Sequence, residues 1–479
     1  MVDKDLLSMQ EARALVRSAR KAMIGFAELG QERVDTIIKA IADSVAAHAE
    51  SLGALAVEET GFGRVQDKKA KNILASEKLY EAVKDMKTIG VLNEDKARKI
   101  IEIASPMGVI AGVVPSTNPT STAIYKSIIA LKSGNAIVFT PHPSAKKCIA
   151  KTVEMIRNVL RNYGVSEDLV SVMSVPTIEG SNELMKSADL ILATGGPGMV
   201  KAAYSSGTPA LGVGAGNVPA FIERSADIED AVTKIITSKT FDNGTVCASE
   251  QSIITESLIA EKVKSTLAAK GGYFLEGEKL EKVVRVMERA GGTMNPDIVG
   301  RDADYIARLA GIDIPAGTRL LVCEEKGVGR QFPFSKEKLS SLIGFYTVSD
   351  WKEACELCFK LLQNGGIGHS LVIHSKDEEV IREFGMKKPV SRMLVNTPST
   401  HGAVGITTNL FPALTLGCGT LGGSSTSDNV TPLNLMNIRR VAYDLGNTEI
   451  EAAPQQIDAS SMDISAVTAL IVEQLKKMA

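Results

Sequence analysis

The sequence predicts an α/β protein whose main sheet is parallel and doubly wound. Two observations support this fold class. Short apolar runs alternate with amphipathic helical segments over most of the 479 residues, and helical segments alone occupy residues 9–87. With 44% hydrophobic and 23% charged residues, the chain has enough apolar material for sizeable cores and for two or three domains.

The predicted elements follow one another in a regular order. Apolar residues at three- and four-residue steps indicate helices over 9–87, and short apolar runs indicate strands over 97–114. Helices at 121–133 and 144–162 then alternate with strands. The predicted strands of this first alternating region are 136–139, 170–173, 189–194 and 219–223. In a second region, from about 250 to 420, the predicted strands are SIITE, RLLVC, IGFYTV and SLVIHS.

The end of the sequence has a different composition. Residues 447–461 are small, polar and proline-containing, which is typical of a linker. Residues 462–479 repeat apolar side chains at helical spacing, and Ser461 or Asp463 would cap the helix. We therefore predict an amphipathic tail helix on a tether.

The charge composition argues against several classes of partner. The chain has 54 lysines and arginines against 56 aspartates and glutamates, a net charge of −2. Charges mixed in this way give no electrostatic reason to expect nucleic acid or a membrane surface as partner. The sequence shows neither a long apolar run nor a signal peptide pattern. We therefore expect a cytoplasmic protein, whose six cysteines remain thiols.

One of these cysteines has the surroundings of a nucleophile. Cys247 lies among small residues just before a predicted strand, whereas structural cysteines usually sit inside apolar runs. Cys323 lies within a predicted strand, and Cys355 and Cys358 lie on an apolar helix, so we predict core roles for these three. Because no second C-x-x-C motif and no paired histidines accompany them, no metal site is expected.

A glycine-rich turn, TGGPGM at 194–199, lies between a predicted strand and a predicted helix. Glycines there would let the backbone approach a pyrophosphate, whose charge a helix N-terminus favours. The spacing differs from the usual GxGxxG, so an ordinary strand-to-helix turn is an equal alternative.

Four motifs occur along the chain: ETGFGRVQDKKAKN at 59–72, TGGPGMV at 194–200, ALGVGAGNVPA at 210–220 and FDNGTVCASEQ at 241–251. Together they resemble the coenzyme-A-acylating branch of the aldehyde dehydrogenase superfamily, over roughly residues 10–445. The similarity is closest to the aldehyde dehydrogenase half of bifunctional aldehyde-alcohol dehydrogenases and to enzymes of bacterial microcompartments. It implies the aldehyde dehydrogenase fold, with a Rossmann-like cofactor domain, an α/β catalytic domain and a β oligomerisation arm.

The resemblance also implies a domain organisation. The expected parts are an NAD-binding domain at 1–240 with oligomerisation strands near 97–105, a catalytic thiol domain at 241–425, an oligomerisation arm at 426–446, a linker at 447–461 and the tail helix at 462–479. A homodimer or tetramer is expected. The tail helix would dock onto a microcompartment shell protein, which would place the enzyme inside a bacterial microcompartment; packing on its own oligomer is the alternative.

Individual residues acquire roles from the same resemblance. Cys247 is expected to be the nucleophile, Asn118 the oxyanion-binding amide, and His369 a group that positions the aldehyde or the coenzyme A thiol. The expected cofactor-binding residues are Thr194, Gly195, Gly196, Gly198, Ser116, His142 and Glu337. Glu337 would hold the nicotinamide ribose. Because Ala145 replaces the carboxylate that contacts the adenosine ribose in relatives, NAD is expected but NADP stays open.

Three of these assignments have simpler alternatives. Asn118 would also serve as the cap of a helix starting near Thr120. His369 would also fit a turn histidine bonded to the backbone. Glu337 would also fit a solvated surface glutamate.

The expected reaction depends on Val213. Hydrolytic relatives carry a water-activating glutamate in a pattern like ELGGKSP, and Val213 stands in its place in VGAGNVP at 213–219. Without this base, transfer of the acyl group to coenzyme A is favoured over hydrolysis. The expected reaction is reversible: short-chain aldehyde, NAD⁺ and coenzyme A give acyl-CoA and NADH. The alternatives are a hydrolytic enzyme that uses Glu250 or Glu337 as base, and a non-catalytic structural member of the fold.

Overall fold

The computed structural model describes residues 3–289, 292–446 and 463–477. The α-helices are α1 Lys4–Phe26, α2 Gln31–Ala47, α3 Ala49–Thr60, α4 Val65–Ile73, α5 Leu79–Val83, α6 Pro119–Lys132, α7 Lys146–Asn162, α8 Ile178–Ser187, α9 Pro197–Tyr204, α10 Ile228–Thr240, α11 Ala260–Ala269, α12 Gly277–Met287, α13 Ala303–Ala310, α14 Trp351–Gln363, α15 Glu378–Lys387, α16 Ser399–Ala403 and α17 Ile464–Lys477. The strands are β1 Val91–Asp95, β2 Ile100–Pro106, β3 Val109–Val114, β4 Ala136–Pro141, β5 Val170–Val172, β6 Leu190–Thr194, β7 Ala210–Val213, β8 Val218–Ile222, β9 Glu250–Glu256, β10 Gly272–Phe274, β11 Leu320–Glu324, β12 Leu342–Val348, β13 Gly368–His374, β14 Val390–Val395 and β15 Met436–Ala442. The predicted linker at 447–461 lies outside the described residues.

A five-stranded parallel sheet has the order β5-β4-β3-β6-β7. Its central strand β3 is buried along its whole length, because helices cover both faces of such a sheet. Helix α6 is likewise buried on every side. The order changes direction at β3, so the carboxyl ends of β3 and β6 border a crevice of the kind that binds ligands in open α/β sheets. The predicted doubly wound α/β fold is confirmed.

A seven-stranded parallel sheet has the order β10-β11-β12-β9-β8-β13-β14. Strand β8, at Val218–Ile222, belongs here, since it pairs with β9 and β13. The sequence-based boundary at residue 241 assigned β8 to the first domain, whereas the change of sheet falls between Val213 and Val218. A short apolar run predicts a buried strand but carries no information on which strands it pairs with.

The N-terminal helices supply a layer of their own. The predicted spacing is confirmed in α2, where Ile37, Ile41 and Val45 are fully buried. Helix α4 packs closely on α3 at Gly53, where a Cβ would lie 3.0 Å from the Val65 carbonyl oxygen, a contact tighter than most. Lys68 of the same helix reaches the loop that follows α10, where it pairs with Asp242 at 2.8 Å.

The chain divides into two compact units, one formed by Met1–Leu92 and Ile103–Arg439, the other by Asn93–Glu102 and Arg440–Ala479. Strands β1, β2 and β15 form a three-stranded sheet, which joins the two segments predicted for the arm. Within the second unit, the Arg440 guanidinium pairs with Glu102 at 2.9 Å. Strand β15 is exposed on both faces from its second residue onward.

The tail contains helix α17, which covers most of the predicted range. The Asp463 carboxylate accepts a hydrogen bond from the Ser465 backbone N–H at 3.0 Å, the cap that the sequence predicts. Large apolar side chains on this helix stay exposed, with Ile464 at 82% and Leu470 at 66%. Within the described ranges, none of the helices combines the length and apolar character needed to cross a membrane.

Candidate active site

The loop between α10 and β9 presents Cys247. It begins with a 3₁₀ turn at Phe241–Gly244, in which Asp242 and Asn243 adopt left-handed φ angles of 50° and 52°. Such angles are unfavourable for residues other than glycine unless the surroundings impose them. The contacts of Asp242 supply that constraint, and they leave Cys247 half-buried beside two cavities.

Asp242 is the buried anchor of this loop. Its Oδ2 accepts hydrogen bonds from Lys68 Nζ at 2.8 Å and Thr245 Oγ1 at 2.7 Å, and it also pairs with Lys71. Burial acts to raise the pKa of Asp242, but the two lysines outweigh it and hold the pKa well below its usual range. Gly63 lies against the other oxygen, where a Cβ would come within 1.8 Å of Oδ1. The two lysines of helix α4 therefore hold residues 241–249 in place through buried charges. We call this segment the nucleophile loop, after the predicted role of Cys247.

Asn118 occupies the first position before helix α6, yet its side chain does not cap that helix. Its Oδ1 accepts a hydrogen bond from Lys71 Nζ at 2.6 Å. Its Nδ2 donates to the Thr245 carbonyl at 3.0 Å and to Thr117 Oγ1 at 3.2 Å. The capping alternative is therefore wrong, and the amide is oriented toward the nucleophile loop.

A large cavity of about 730 Å³ opens at the carboxyl ends of β3, β4 and β6. The predicted site residues that line it are Ser116, Asn118, His142, Thr194, Gly195, Gly196 and Glu337, together with Val213 and Cys247. Gly198 lies in the first turn of α9 and is not among the lining residues, although its neighbours Pro197 and Met199 are. No side chain caps α9, so its N-terminal N–H groups can donate hydrogen bonds to a phosphate. The shape and lining fit a dinucleotide.

The connection between β4 and α7 carries His142, which lines the cavity, and Ala145, which does not. Ala145 is fully buried, and His142 is exposed and accepts a hydrogen bond from the Ser144 N–H. The carboxylate of Glu59 accepts the backbone N–H groups of Lys147 and Cys148 at 2.8 and 2.7 Å. Glu59 therefore caps helix α7, a role that sequence reasoning missed although the residue lies in a quoted motif.

Glu337 faces the same cavity as Cys247. Its Oε1 accepts the Gly216 N–H at 3.1 Å, and burial raises its pKa to about 7. Burial, followed by the charge of Glu337, raises the pKa of Cys247 to about 12. The surface-glutamate alternative is therefore wrong, and the resting thiol is protonated at neutral pH.

His369 lies inside strand β13, where the sequence predicted a preceding turn. The ring is fully buried, its Nδ1 contacts Ser370 Oγ at 3.0 Å, and its Nε2 has no hydrogen-bond partner. Burial and the nearby Arg392 lower its pKa to about 3, so it is neutral. A Cβ on Gly216 would lie 3.3 Å from the His369 ring and 2.0 Å from the Cys247 carbonyl oxygen. The ring therefore approaches the nucleophile loop across Gly216, and the backbone-bonded alternative is wrong.

A second, smaller cavity of about 40 Å³ lies on another side of Cys247. Cys247, Asn118 and Thr194 border both cavities. The remaining lining residues are Lys71, Leu74, Thr122, Phe241, Val246, Thr400, Val404, Ile406, Leu414 and Leu416. This mainly apolar space suits the short alkyl group of an aldehyde, with the carbonyl carbon placed next to the Cys247 thiol.

The other candidate groups lie elsewhere. Cys323, Cys355 and Cys358 are buried, in agreement with their predicted core positions. Glu250 is fully buried at the start of β9, where its Oε1 accepts the Ser399 N–H at 2.9 Å, and it lines neither cavity. Sequence reasoning missed Lys68, Lys71 and Asp242, although the two lysines lie in the charged DKKAK run at 67–71 and Asp242 lies in the motif that contains Cys247.

Comparison with known proteins places this geometry in a family. Residues 5–286 match the model of the aldehyde dehydrogenase family. The bifunctional aldehyde-alcohol dehydrogenase of Escherichia coli is 45% identical over 457 residues, which cover 94% of this chain and 51% of that protein. The chain thus spans about half the length of this relative.

The matches to two solved structures extend over nearly the whole of both chains. An acetylating aldehyde dehydrogenase from Geobacillus thermoglucosidasius is 48% identical, with a TM-score of 0.91 over 93% of this chain and 99% of that one. A propionaldehyde dehydrogenase from Rhodopseudomonas palustris, with bound CoA and an acylated cysteine, is 27% identical, with a TM-score of 0.83 over 90% and 97% of the two chains. The chain belongs to the aldehyde dehydrogenase family.

Proposed function

We propose that the protein is a coenzyme-A-acylating aldehyde dehydrogenase that converts a short-chain aldehyde, NAD⁺ and coenzyme A into acyl-CoA and NADH, reversibly. One observation carries the proposal: Cys247 and Asn118 border both cavities, while Val213 lines the cofactor cavity without offering a base. The acetylating enzyme and the enzyme with an acylated cysteine among the similar structures support the same reaction.

The first step is attack of the Cys247 thiolate on the aldehyde carbonyl. Because its pKa is about 12, the thiol must lose its proton as it attacks. Among the charged groups that act on Cys247, Glu337 has the largest effect, and its pKa of about 7 suits a proton acceptor. Asn118 Nδ2 and the Cys247 backbone N–H stabilise the oxyanion that forms.

The second step releases the acyl group from Cys247. A nicotinamide cofactor held in the large cavity would take up the hydride from the carbon bonded to the Cys247 sulfur, and Cys247 would then carry the acyl group as a thioester. The sulfur of coenzyme A would then add to this thioester, the acyl–Cys247 bond would break, and the departing Cys247 sulfur would regain a proton as the coenzyme A thiol loses its own. His369, held neutral by burial, would position that thiol. Since one thioester replaces another, little free energy is lost and the reaction runs in both directions.

The nicotinamide cofactor fits the large cavity, with the glycine turn and the N-terminus of α9 at its pyrophosphate. We assign Glu337 to the nicotinamide ribose. NAD is the proposed cofactor. Because residue 145 is alanine, the adenosine ribose lacks a carboxylate partner there. The ratio of rates with NAD⁺ and NADP⁺ measures how far this weakens the preference for NAD⁺ over NADP⁺.

The small cavity limits the aldehyde. With a volume of about 40 Å³, it accepts a methyl or ethyl group, so acetaldehyde and propionaldehyde are the proposed substrates. Longer chains would have to displace the apolar side chains that close it, at a cost to the transition state.

The partners are also part of the proposal. The exposed faces of β15 suit pairing with another copy in a homodimer or tetramer. The exposed apolar side chains of α17 need a surface to bury against, for which we propose a shell protein of a bacterial microcompartment. The enzyme would then act in the cytoplasm, inside such a compartment.

A single assay separates the candidate reactions. Purified protein is incubated with acetaldehyde and NAD⁺, with and without coenzyme A, and NADH, acetyl-CoA and acetate are measured. We expect acetyl-CoA in proportion to NADH, and little acetate. Acetate formed at the same rate without coenzyme A would establish the hydrolytic alternative, and a protein inactive under both conditions would support the structural one.

A further inference from the structure

We infer that Lys71 is a positioning residue of the oxyanion site, whose ammonium group holds the Asn118 side-chain oxygen so that the amide nitrogen faces the reacting carbonyl oxygen. The inference rests on the proposed function, because it concerns the oxyanion formed by attack of Cys247. It adds a residue from helix α4 to a site otherwise formed by the β3–α6 connection and the nucleophile loop.

The orientation of the Asn118 amide follows from the chemistry of its neighbour. An ammonium group has three hydrogens to donate and no acceptor. The atom of Asn118 that lies 2.6 Å from Lys71 Nζ must therefore be the carbonyl oxygen. This places Nδ2 on the opposite side, toward the Thr245 carbonyl at 3.0 Å. An Asn118 amide turned the other way would set two donors against each other.

Lys71 is itself held in one place. It is 3% exposed, and its Nζ pairs with the Asp242 carboxylate and lies 3.3 Å from Thr245 Oγ1. The Phe241 ring lies under the same ammonium, 5.5 Å from its centroid. Lys71 also lines the small cavity with Cys247. Its contacts Asp242, Thr245 and Phe241 all belong to the nucleophile loop. The lysine therefore fixes the position of Asn118 relative to the loop that carries Cys247.

A charged donor on the amide oxygen has an electronic consequence as well. It draws electron density from the amide and makes the N–H groups stronger donors, an effect that grows in a site with little water. The longer of the two Nδ2 bonds, to Thr117 Oγ1 at 3.2 Å, is the one that an oxyanion would replace. The stabilisation appears only as charge develops on the substrate oxygen, so it should act on kcat more than on KM.

Helix α4 provides a matched control in Lys68. This lysine is also buried, at 2% exposed, and pairs with the same Asp242 oxygen at 2.8 Å. Its second bond goes to the Thr117 carbonyl at 2.9 Å, so it does not hold the Asn118 oxygen. Loss of either lysine weakens the anchor of the loop, whereas only loss of Lys71 releases the amide.

The experiment is a mutant cycle on the full chain. Lys71→Met and Lys68→Met are made in the wild type and in Asn118→Ala, and kcat and KM for acetaldehyde are measured together with the isotope effect of the deuterated aldehyde. Removal of a whole oxyanion donor costs about 10²–10³ in kcat, so we expect Lys71→Met to lose about 10- to 100-fold in kcat with little change in KM. Lys68→Met should lose clearly less, and Lys71→Met should add little in the Asn118→Ala background.

Other outcomes overturn the inference. Two results would show that Lys71 only supports the nucleophile loop. One is an equal loss of kcat in Lys71→Met and Lys68→Met, and the other is losses of kcat from Lys71→Met and Asn118→Ala that multiply fully in the double variant. If a methionine variant does not fold, glutamine at the same two positions keeps a neutral donor and permits the same comparison. A wild type that forms no acetyl-CoA would refute the proposed function itself, a result distinct from either mutant pattern.

Discussion

Cys247 combines a high pKa with a position between two cavities. The value of about 12 means that reactivity depends on removal of the proton by a neighbour rather than on a standing thiolate. Glu337 is suited to this because burial raises its own pKa to about 7. A thiol of this kind resists chance oxidation when no substrate is bound, since the thiolate is the species that oxidants attack.

Cys247→Ala should abolish acyl-CoA formation, because no other group can hold the acyl chain. Folding and cofactor binding should stay close to normal, since a small-residue loop tolerates loss of a sulfur. NADH absorbance, thermal melting and titration with NAD⁺ measure the three properties. Cys418→Ala is the control, because Cys418 is also a free thiol but has no assigned role. Acyl-CoA formation retained by Cys247→Ala would rule out the covalent mechanism.

Val213→Glu should raise the share of acyl groups released as carboxylate. Val213 is 2% exposed and lines the cofactor cavity, so a glutamate there would be held close to the acyl group. The gain should be modest because the new carboxylate lacks supporting hydrogen bonds. Val213→Gln has the same size and no base, and it should leave the ratio of acetate to acetyl-CoA unchanged. A wild type that already releases both at equal rates contradicts this account of the acceptor.

The connection between α3 and α4 contacts the loop of Cys247 at position 63, where a Cβ would lie 1.8 Å from Asp242 Oδ1. Gly63 and Gly90 have the same φ of 75°, but a Cβ on Gly63 would overlap the Asp242 carboxylate, whereas nothing lies within 4 Å of the corresponding atom on Gly90. The two positions therefore separate the cost of backbone strain from the cost of displacing the loop.

Gly63→Ala should lower both the melting temperature and kcat, whereas Gly90→Ala should show only the strain, of about 1 kcal/mol. The extra loss at Gly63 should amount to several-fold in kcat, since the displaced Asp242 carries Lys71 and Thr245 with it. Thermal melting and steady-state rates on both variants provide the test. Identical behaviour of the two would show that the loop accommodates the methyl group.

Strand β9 begins with a carboxyl group that links stability to pH. Burial raises the pKa of Glu250 from 4.5 to about 7, so the unfolded chain releases this proton at lower pH than the folded protein does. The free energy of unfolding should therefore fall as pH rises from about 4.5 to 7, by roughly 3 kcal/mol from this group, and stay low above that range.

Glu250→Gln should remove much of this dependence, so that its melting temperature drops less than that of the wild type between pH 5 and pH 8. Glu261→Gln, at a side chain that is 90% exposed, should melt like the wild type at both values. A Glu250→Gln profile parallel to the wild type would assign the pH dependence to other groups.

In the whole molecule, apolar surface remains exposed in the second unit. Tyr443 and Leu445 are 57% and 61% exposed after β15, and Leu475 of α17 is 61% exposed. Exposed apolar groups in such numbers mark surfaces that meet another molecule. The proposed catalytic residues Cys247, Asn118 and His369 all belong to the other unit, so we expect assembly and chemistry to be separable.

Deletion of residues 447–479 should leave the solution activity nearly unchanged. A fluorescent protein fused to 447–479 should co-localise with microcompartment shells, since α17 would bury its apolar side chains there. A fusion that carries charged residues at Ile464, Leu470 and Leu475 is the control and should remain diffuse. A truncated enzyme that loses its oligomeric state would instead assign the helix to contacts within the oligomer.

Local patterns in the sequence were enough for the class of fold, the order of the elements and the tail helix, and they selected Cys247 as the proposed nucleophile. Such features depend on residues close together along the chain: apolar spacing predicts a helix or a strand, and a cysteine among small residues before a strand indicates an accessible thiol. The sequence left two roles open for Asn118, Glu337 and His369. Asparagine, glutamate and histidine are used both in catalytic sites and in helix caps, solvated surfaces or turns.

Side-chain partners distant in sequence resolved those alternatives. Lys71 meets Asn118 across 47 residues and Asp242 across 171, and β8 pairs with β13 rather than with the strands just before it. Burial of Glu337 and neutrality of His369 depend in the same way on packing from several elements. Such contacts form only when the whole chain is folded, and their energies depend on burial and charge that no local pattern records.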